Sequence, residues 1–312
     1  MGSFHKSILV KEILDILSPK ECGALLIDGT LGEGGHALAF LKAYPTLKVI
    51  GIDADSEIQE VAKERLASFK NRITYYLGWS DTFFQNYPSD LEKADSILFD
   101  LGISMYHYTV SKKGFSFNAD DNVDMRLSNS SKVSAKDIIN FSSKEEIVNI
   151  LRTLGEERYA SLIATSIIEF RNRKKIETSK ELSNIIFQCV PKKYRYGAIH
   201  PATKTFQALR IKVNEELARL PNLLHLAFSH LKVGGRLGVI TFHSLEDRIV
   251  KHYFKELIRS CICPPDFPIC QCGGVAKASL LTKKAISPSE KEVEANHASR
   301  SAKFRAIEKI RD

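Results

Sequence analysis

Apolar residues in the first hundred positions cluster in short runs, and three of these runs stop at an aspartate. Residues 24–27 end at Asp28, residues 48–52 at Asp53 and residues 96–99 at Asp100. Residues 72–76 are β-branched and aromatic and read as a further strand. Between the runs, 37–41 and 56–66 read as helices. Strands alternating with helices predict a parallel sheet covered on both faces. The pattern then changes. Residues 104–137 are polar, aromatic and turn-rich, and 137–188 are mainly helical, with a capping box predicted at Ser143 and Glu146. After Phe206 the first rhythm returns. It predicts helices to about 233, a turn at Gly234-Gly235, a strand at 236–242, a helix at 244–258 and a closing strand at 301–309. The predicted fold is an α/β domain with a mostly parallel sheet, formed by residues 1–108 and 206–312. A helical domain of residues 109–205 interrupts it.

Composition narrows the class. The chain has 312 residues, 44% hydrophobic and 26% charged, enough to bury a core. The excess of 45 Lys and Arg over 37 Asp and Glu gives +8, which permits a polyanionic partner without requiring one. Basic clusters at 171–175 and 192–195 read, each alone, as solvated faces. Charges interrupt every apolar run near the start, so no signal peptide is expected. No run approaches the roughly 20 apolar residues of a membrane span. A cytoplasmic globular protein with no membrane attachment is expected.

Six cysteines are too few for a disulfide framework. Cys261, Cys263, Cys270 and Cys272 form two C-x-C pairs, and four thiolates can hold zinc tetrahedrally. Pairs in zinc sites are usually spaced by two or more residues, so reduced thiols are the favoured reading and no metal ligand is assigned.

The turn Asp28-Gly-Thr-Leu-Gly-Glu-Gly-Gly-His36 joins the first strand to the first helix. Glycines there let a backbone approach a ligand, and open α/β sheets bind ligands beyond the carboxyl ends of their strands. Gly32-x-Gly34-x-x-Ala37, with Asp53 about 20 residues on, satisfies a relaxed dinucleotide pattern, so NAD is not dismissed by the glycines. Asp28 discriminates. A carboxylate at that position repels a pyrophosphate and suits a cation such as S-adenosylmethionine. Asp53 accepts ribose hydroxyls in either case.

With the glycine turn and Phe99-Asp-Leu-Gly-Ile-Ser104, the sequence resembles the bacterial small-subunit ribosomal RNA cytosine-N4 methyltransferase family (RsmH/MraW). Further matches are His5-Lys-Ser-Ile-Leu, Gly114-Phe-Ser-Phe117, Asp124-Met-Arg126, Gly155-Glu-Glu-Arg158, His200-Pro-Ala-Thr-Lys-Thr-Phe-Gln-Ala-Leu-Arg210, Gly234-Gly-Arg236, Phe242-His-Ser-Leu-Glu-Asp-Arg248 and Ser299-Arg-Ser-Ala-Lys-Phe-Arg305. The long His200 and Phe242 motifs are the specific ones. The resemblance implies a Rossmann-like class I S-adenosylmethionine-dependent methyltransferase core with a helical insert. It implies S-adenosylmethionine as donor and the N4 amino group of one cytosine in the decoding region of 16S rRNA as acceptor. The partner would be small-subunit rRNA in the assembled or assembling subunit.

Cofactor contacts carry over to Gly34, Gly35, His36, Asp53 and Asp100, joined by Asp28 and Gly32 from the turn. Trp79 stands where the family has an aromatic residue after strand three. The family usually reads Ser-Ser-Pro-Gln where this chain has Ser104-Met-Tyr-His107, so His107 replaces a cofactor-contacting Gln. Asp100, or backbone carbonyls from Asp100 to Ser104, would accept the amino proton. The resemblance places His243 in a long motif and so implies a catalytic-site role for it, with bracing of its loop as the alternative, and Ser104 joins Asp100 and His243 as a catalytic candidate. Tyr106, Tyr108, Phe115 and Phe117 are candidates for stacking on an extruded base, with core packing an equal reading for Phe115 and Phe117. Arg126, Lys204 and Arg210 are candidate phosphate contacts or surface charges, and His200 opens the longest motif. No Pro-Cys pair follows strand four, which argues against attack on cytosine C5 by a cysteine. Two competing functions remain: a nucleotide (NAD)-dependent oxidoreductase, and a non-catalytic RNA-binding protein on the same fold.

Overall fold

The computed structural model describes residues 7–128, 130–261, 263, 272 and 274–312. The chain divides into two compact units, one formed by residues up to Gly102 together with Leu217–Asp312, the other by Ile103–Glu216.

The first unit is built on strands β1 (Leu25–Asp28), β2 (Lys48–Asp53), β3 (Ile73–Leu77), β4 (Ala94–Asp100), β5 (Leu231–Thr241), β6 (Ala278–Leu280) and β7 (Lys303–Lys309). They form a sheet of order β3-β2-β1-β4-β5-β7-β6. Pairs from β3 to β5 are parallel, whereas β7 runs antiparallel to both β5 and β6.

Alternation along the strands divides the core between the faces. Leu26, Leu98 and Ile240 pack with Phe40, Leu41, Ala62 and Ile13. Their neighbours Ile27, Ile97, Phe99 and Val239 pack with Phe83, Phe84, Leu224 and Phe254 on the other side. Helices Val10–Ile16, Gly35–Ala43 and Ser56–Arg65 thus cover one face, and Ser80–Gln85, Glu216–Ser229 and Ser244–Leu257 the other. With both faces buried, the strands read as continuous apolar runs.

The chain leaves β1 towards β2 and β3, then returns to place β4 on the opposite side of β1. Such a reversal opens a crevice at the carboxyl ends of the two central strands. Asp28 and Asp100 end those strands, with Asp28 paired in register to Leu98.

The pair Gly234-Gly235 is not a turn between elements. β5 runs through it, and the register against β4 jumps from Ala94↔Leu231 to Ser96↔Arg236. Gly234 takes up the extra residues at φ +83° as a bulge inside the strand.

The second unit packs helices Ala135–Phe141, Lys144–Gly155, Ala160–Arg171, Ser179–Cys189 and Ala202–Asn214 around a core that includes Ile139, Leu151, Ile163, Ile186 and Leu209. The predicted capping box at Ser143 and Glu146 is present, and the same device starts two further helices at Ser134/Asp137 and Thr178/Glu181. The unit runs to Glu216, against the 205 read from the sequence. The reason is that the Ala202–Asn214 helix places Ala202, Phe206, Ala208, Leu209 and Val213 in this core. It also approaches Lys144–Gly155 so closely that a Cβ on Gly155 would lie 2.7 Å from the Lys204 carbonyl oxygen. The other boundary falls at Gly102, against 108. Among the described residues, no helix is long and apolar enough to cross a membrane.

Candidate active site at the ends of the central strands

The glycine turn is held from three directions. Gly29 donates to Leu98 O at 2.9 Å, and Ser80 Oγ donates to Gly29 O. Leu31 donates to Ile52 O at 2.8 Å. Gly32 N–H donates to Asp53 Oδ2 at 2.8 Å, while Asp55 N–H donates to Asp53 Oδ1 at 2.9 Å. Asp53 therefore ties the turn to the end of β2. Gly34 caps the Gly35–Ala43 helix at φ +74° with no side-chain cap, and a Cβ there would meet Leu66 Cδ1 at 2.7 Å. Only glycine gives this left-handed turn and leaves the helix N-terminus open.

Thr30 links the two strand-end acids. Its N–H donates to Asp28 Oδ1 at 3.4 Å, and its hydroxyl accepts from the Asp100 backbone N–H at 2.6 Å. His36, on the first turn of the helix, puts Nε2 3.5 Å from Asp100 Oδ2. Asp28 and His36 are both buried.

Burial drives the Asp28 carboxyl up to about 6, against the opposing pull of His36 and the Thr30 N–H; the charges of Asp100 and Asp53 push it the same way as burial. For His36, burial lowers the pKa. The Asp100 carboxylate, by contact and charge, and Asp28, by charge, outweigh that and leave the imidazole above its ordinary value. Asp100 Oδ1 is buried without a hydrogen-bond partner, and His36 Nε2 has only its long contact with Asp100 Oδ2. Buried polar atoms are almost always paired, so an orphaned carboxylate oxygen marks a place suited to another group. An acid-rich, glycine-lined pocket edge at a helix N-terminus fits a ligand that is cationic at one end and hydroxylated at the other.

The sequence-predicted residues divide. Asp28, Gly32, Gly34, Gly35, His36, Asp53 and Asp100 come together in this array. Trp79 caps the Ser80–Gln85 helix, and the Arg219 guanidinium carbon lies 4.8 Å over its ring while donating to Asp81 at 3.1 and 2.9 Å. His243 caps the Ser244–Leu257 helix. Its Nδ1 accepts from Glu246 N–H at 3.4 Å, its Nε2 lies 3.1 Å from Glu246 Oε1, and Glu246 Oε2 accepts from Phe242 N–H at 2.9 Å. That geometry is the loop-bracing alternative.

The remaining candidates lie in the second unit. Ser104 caps the Met105–Thr109 helix, accepting from Tyr106 N–H at 3.2 Å. His107 is buried, edge-on to Phe115 at 5.4 Å. Phe115 is a core residue with its ring enclosed, which takes it out of contention as a stacking platform. Phe117 stacks on His200 at 4.5 Å, whereas Tyr106 is half-buried and Tyr108 exposed. The three cations are engaged within the unit. Arg126 forks onto Asp124 at 2.7 and 2.6 Å, Arg210 forks onto Glu216 at 3.0 and 2.9 Å, and Lys204 Nζ donates to Glu156 O at 3.0 Å. Sequence reasoning missed Thr30 and Arg219. A hydroxyl inside the glycine turn was the available signal for Thr30; nothing local marked Arg219. Of the four late cysteines, Cys270 lies outside the described residues.

The model of the MraW methylase family matches residues 2–310. A protein of Treponema denticola named ribosomal RNA small subunit methyltransferase H is 54% identical over 310 residues, which cover 99% of this chain and 98% of that one. Proteins of the same name from Borreliella afzelii and Treponema pallidum are 47% and 41% identical, covering 98% of this chain and 98% and 92% of theirs.

Proposed function

The chain belongs to the MraW methylase family, and on that premise we propose that it methylates the N4 amino group of a cytosine in small-subunit ribosomal RNA with S-adenosylmethionine as donor. The observation that carries this reading is the buried Asp100 Oδ1, which has no hydrogen-bond partner while Asp100 Oδ2 faces His36 Nε2, beside buried Asp28 at the crevice between β1 and β4. Asp53 and the glycine turn would hold the ribose and carry the backbone close to the donor, while Asp28 and Asp100 favour its positive charges. S-adenosylmethionine, when bound, supplies a methyl carbon made electrophilic by its sulfonium. Asp28 sets this reading against a pyrophosphate-bearing dinucleotide, because a buried acid at that point repels phosphate.

Cytosine N4 is a weak nucleophile because its lone pair is delocalised into the ring. Asp100, by accepting a hydrogen bond from the amino group, would orient the nitrogen lone pair towards the donor's methyl group and offset the positive charge that develops on nitrogen. The proton then leaves the nitrogen to Asp100 or to solvent. The second unit, with half-buried Tyr106 and exposed Tyr108, supplies candidate contacts to RNA. The substrate is proposed to be rRNA within the assembled or assembling small subunit, in the cytoplasm.

Calorimetry with S-adenosylmethionine and with NADH, followed by mass spectrometry of nucleosides from treated small subunits, tests the proposal. Binding of the first alone and appearance of N4-methylated cytosine are expected. Preferential NADH binding, or methyl transfer to another atom, overturns it.

A further inference from the structure

We infer that Cys261, Cys263 and Cys272 form a zinc-binding thiolate site, remote in sequence from the glycine turn. Their sulfurs all lie within 4.8 Å of one another. One of the three separations matches what a metal requires. Zinc–sulfur bonds of about 2.3 Å at tetrahedral angles put neighbouring sulfurs about 3.8 Å apart, and Cys261 Sγ and Cys272 Sγ are 3.8 Å apart.

A second feature is independent of the sulfur spacing. The Gly274 N–H donates to Cys272 Sγ at 3.4 Å, a bond that stabilises charge on a thiolate. It needs the backbone close to the sulfur. A Cβ on Gly274 would lie 3.2 Å from that sulfur and 3.0 Å from the Ser260 carbonyl oxygen, so the glycine permits an approach that other residues crowd. The remaining described cysteines, Cys22 and Cys189, belong to neither feature.

The site has a structural purpose. The three cysteines lie in the connection between the Ser244–Leu257 helix and β6, whose ends are joined by Lys277 N–H donating to Leu257 O at 2.7 Å. A metal held by Cys261, Cys263 and Cys272 would cross-link residues on both sides of that connection. Zinc needs no redox partner here. Each thiol loses its proton to solvent on binding, three thiolates bond one Zn²⁺, and a fourth donor completes the shell. The sequence spacing alone favoured reduced thiols; the three-way convergence and the close glycine are what turn the reading to metal.

The test uses the full chain purified under reducing conditions, equilibrated with zinc chloride, desalted and analysed for metals. About one zinc per chain is expected, released when a mercurial titrates the thiols. Cys261→Ser, Cys263→Ser and Cys272→Ser should each lose most of it while circular dichroism shows the fold retained; Cys22→Ser and Cys189→Ser should keep it. The inference is overturned by a wild-type chain without zinc, by iron in its place, by a Cys261–Cys272 disulfide in the reduced preparation, or by variants that retain the metal. None of these readouts depends on methyl transfer.

Discussion

His36 Nε2 stands 3.5 Å from Asp100 Oδ2, at ion-pair distance, while Asp100 Oδ1 is buried without a partner. One oxygen of the carboxylate is thereby oriented by the imidazole and the other left to accept. Replacing Asp100 by Asn keeps the shape and exchanges part of that accepting capacity for a donor. Asp100→Asn is expected to reduce methyl transfer by roughly 10²-fold or more, the low end of what a positioned acid–base group contributes. Cofactor affinity should change less. Single-turnover kinetics and calorimetry separate the two, and wild-type turnover in the variant would remove Asp100 from the chemistry.

Stability should depend on pH through Asp28. With its pKa raised from 3.8 to about 6, the folded chain holds a proton that the unfolded chain releases, so stability falls as pH rises across that window. His36, also raised, adds to the slope: what its charge contributes is complete below 6.5 and fades as pH passes its higher folded value. Asp28→Asn should therefore gain on the wild type between about pH 4 and pH 6, by about 3 kcal/mol in all. Urea unfolding at a series of pH values measures it, and a gap that does not change with pH would exclude the buried acid as its origin.

The same linkage gives a binding prediction. A cationic ligand favours ionised Asp28, so the affinity for S-adenosylmethionine should rise as pH increases through about 6, with proton release. Calorimetry in buffers of different ionisation enthalpy reads the proton directly; uptake of a proton would contradict the arrangement.

Gly34→Ala forces an L-residue to φ +74° and drives a methyl to 2.7 Å from Leu66 Cδ1. The backbone strain alone costs about 1–2 kcal/mol. Lower thermal stability and weakened cofactor binding should appear together, and an alanine variant as stable as the wild type would contradict the geometry.

Arg210 tests whether a basic residue of the longest motif serves the RNA or the fold. Its fork onto Glu216 is largely shielded, with 11% and 14% of the two side chains exposed. Arg210→Ala leaves an acid with its main partner gone and is expected to cost about 3 kcal/mol; adding Glu216→Gln should recover much of it. Weakened RNA binding with stability untouched would instead assign the guanidinium to phosphate.

How much of this was legible follows from the distance over which each signal acts. The runs ending at Asp28, Asp53 and Asp100 exposed the strand edges, because a strand buried on both faces must be apolar throughout and its end is where polarity returns. Ser143 and Glu146 exposed a helix start, a contact of three residues. What stayed hidden depends on remote pairing. The Gly234-Gly235 bulge is visible only against β4, and the end of the second unit only once the Ala202–Asn214 helix is seen packing on Lys144–Gly155. For the site, charge and glycine identified the array around Asp28. Arg126 and Arg210 were ambiguous because a surface phosphate contact and an internal ion pair use the same residue; only Asp124 and Glu216, seen in place, distinguish them.

The position of β7 has a consequence for the chain as it is made. This strand, the last of the seven in sequence order, lies between β5 and β6, whereas the second unit is one uninterrupted stretch of chain. A polypeptide that has not yet reached β7 cannot complete the sheet, so the helical unit is available for folding before the sheet closes. Premature stop codons anywhere before residue 303 would thus remove the strand that joins β6 to β5 and leave β5 as an open edge.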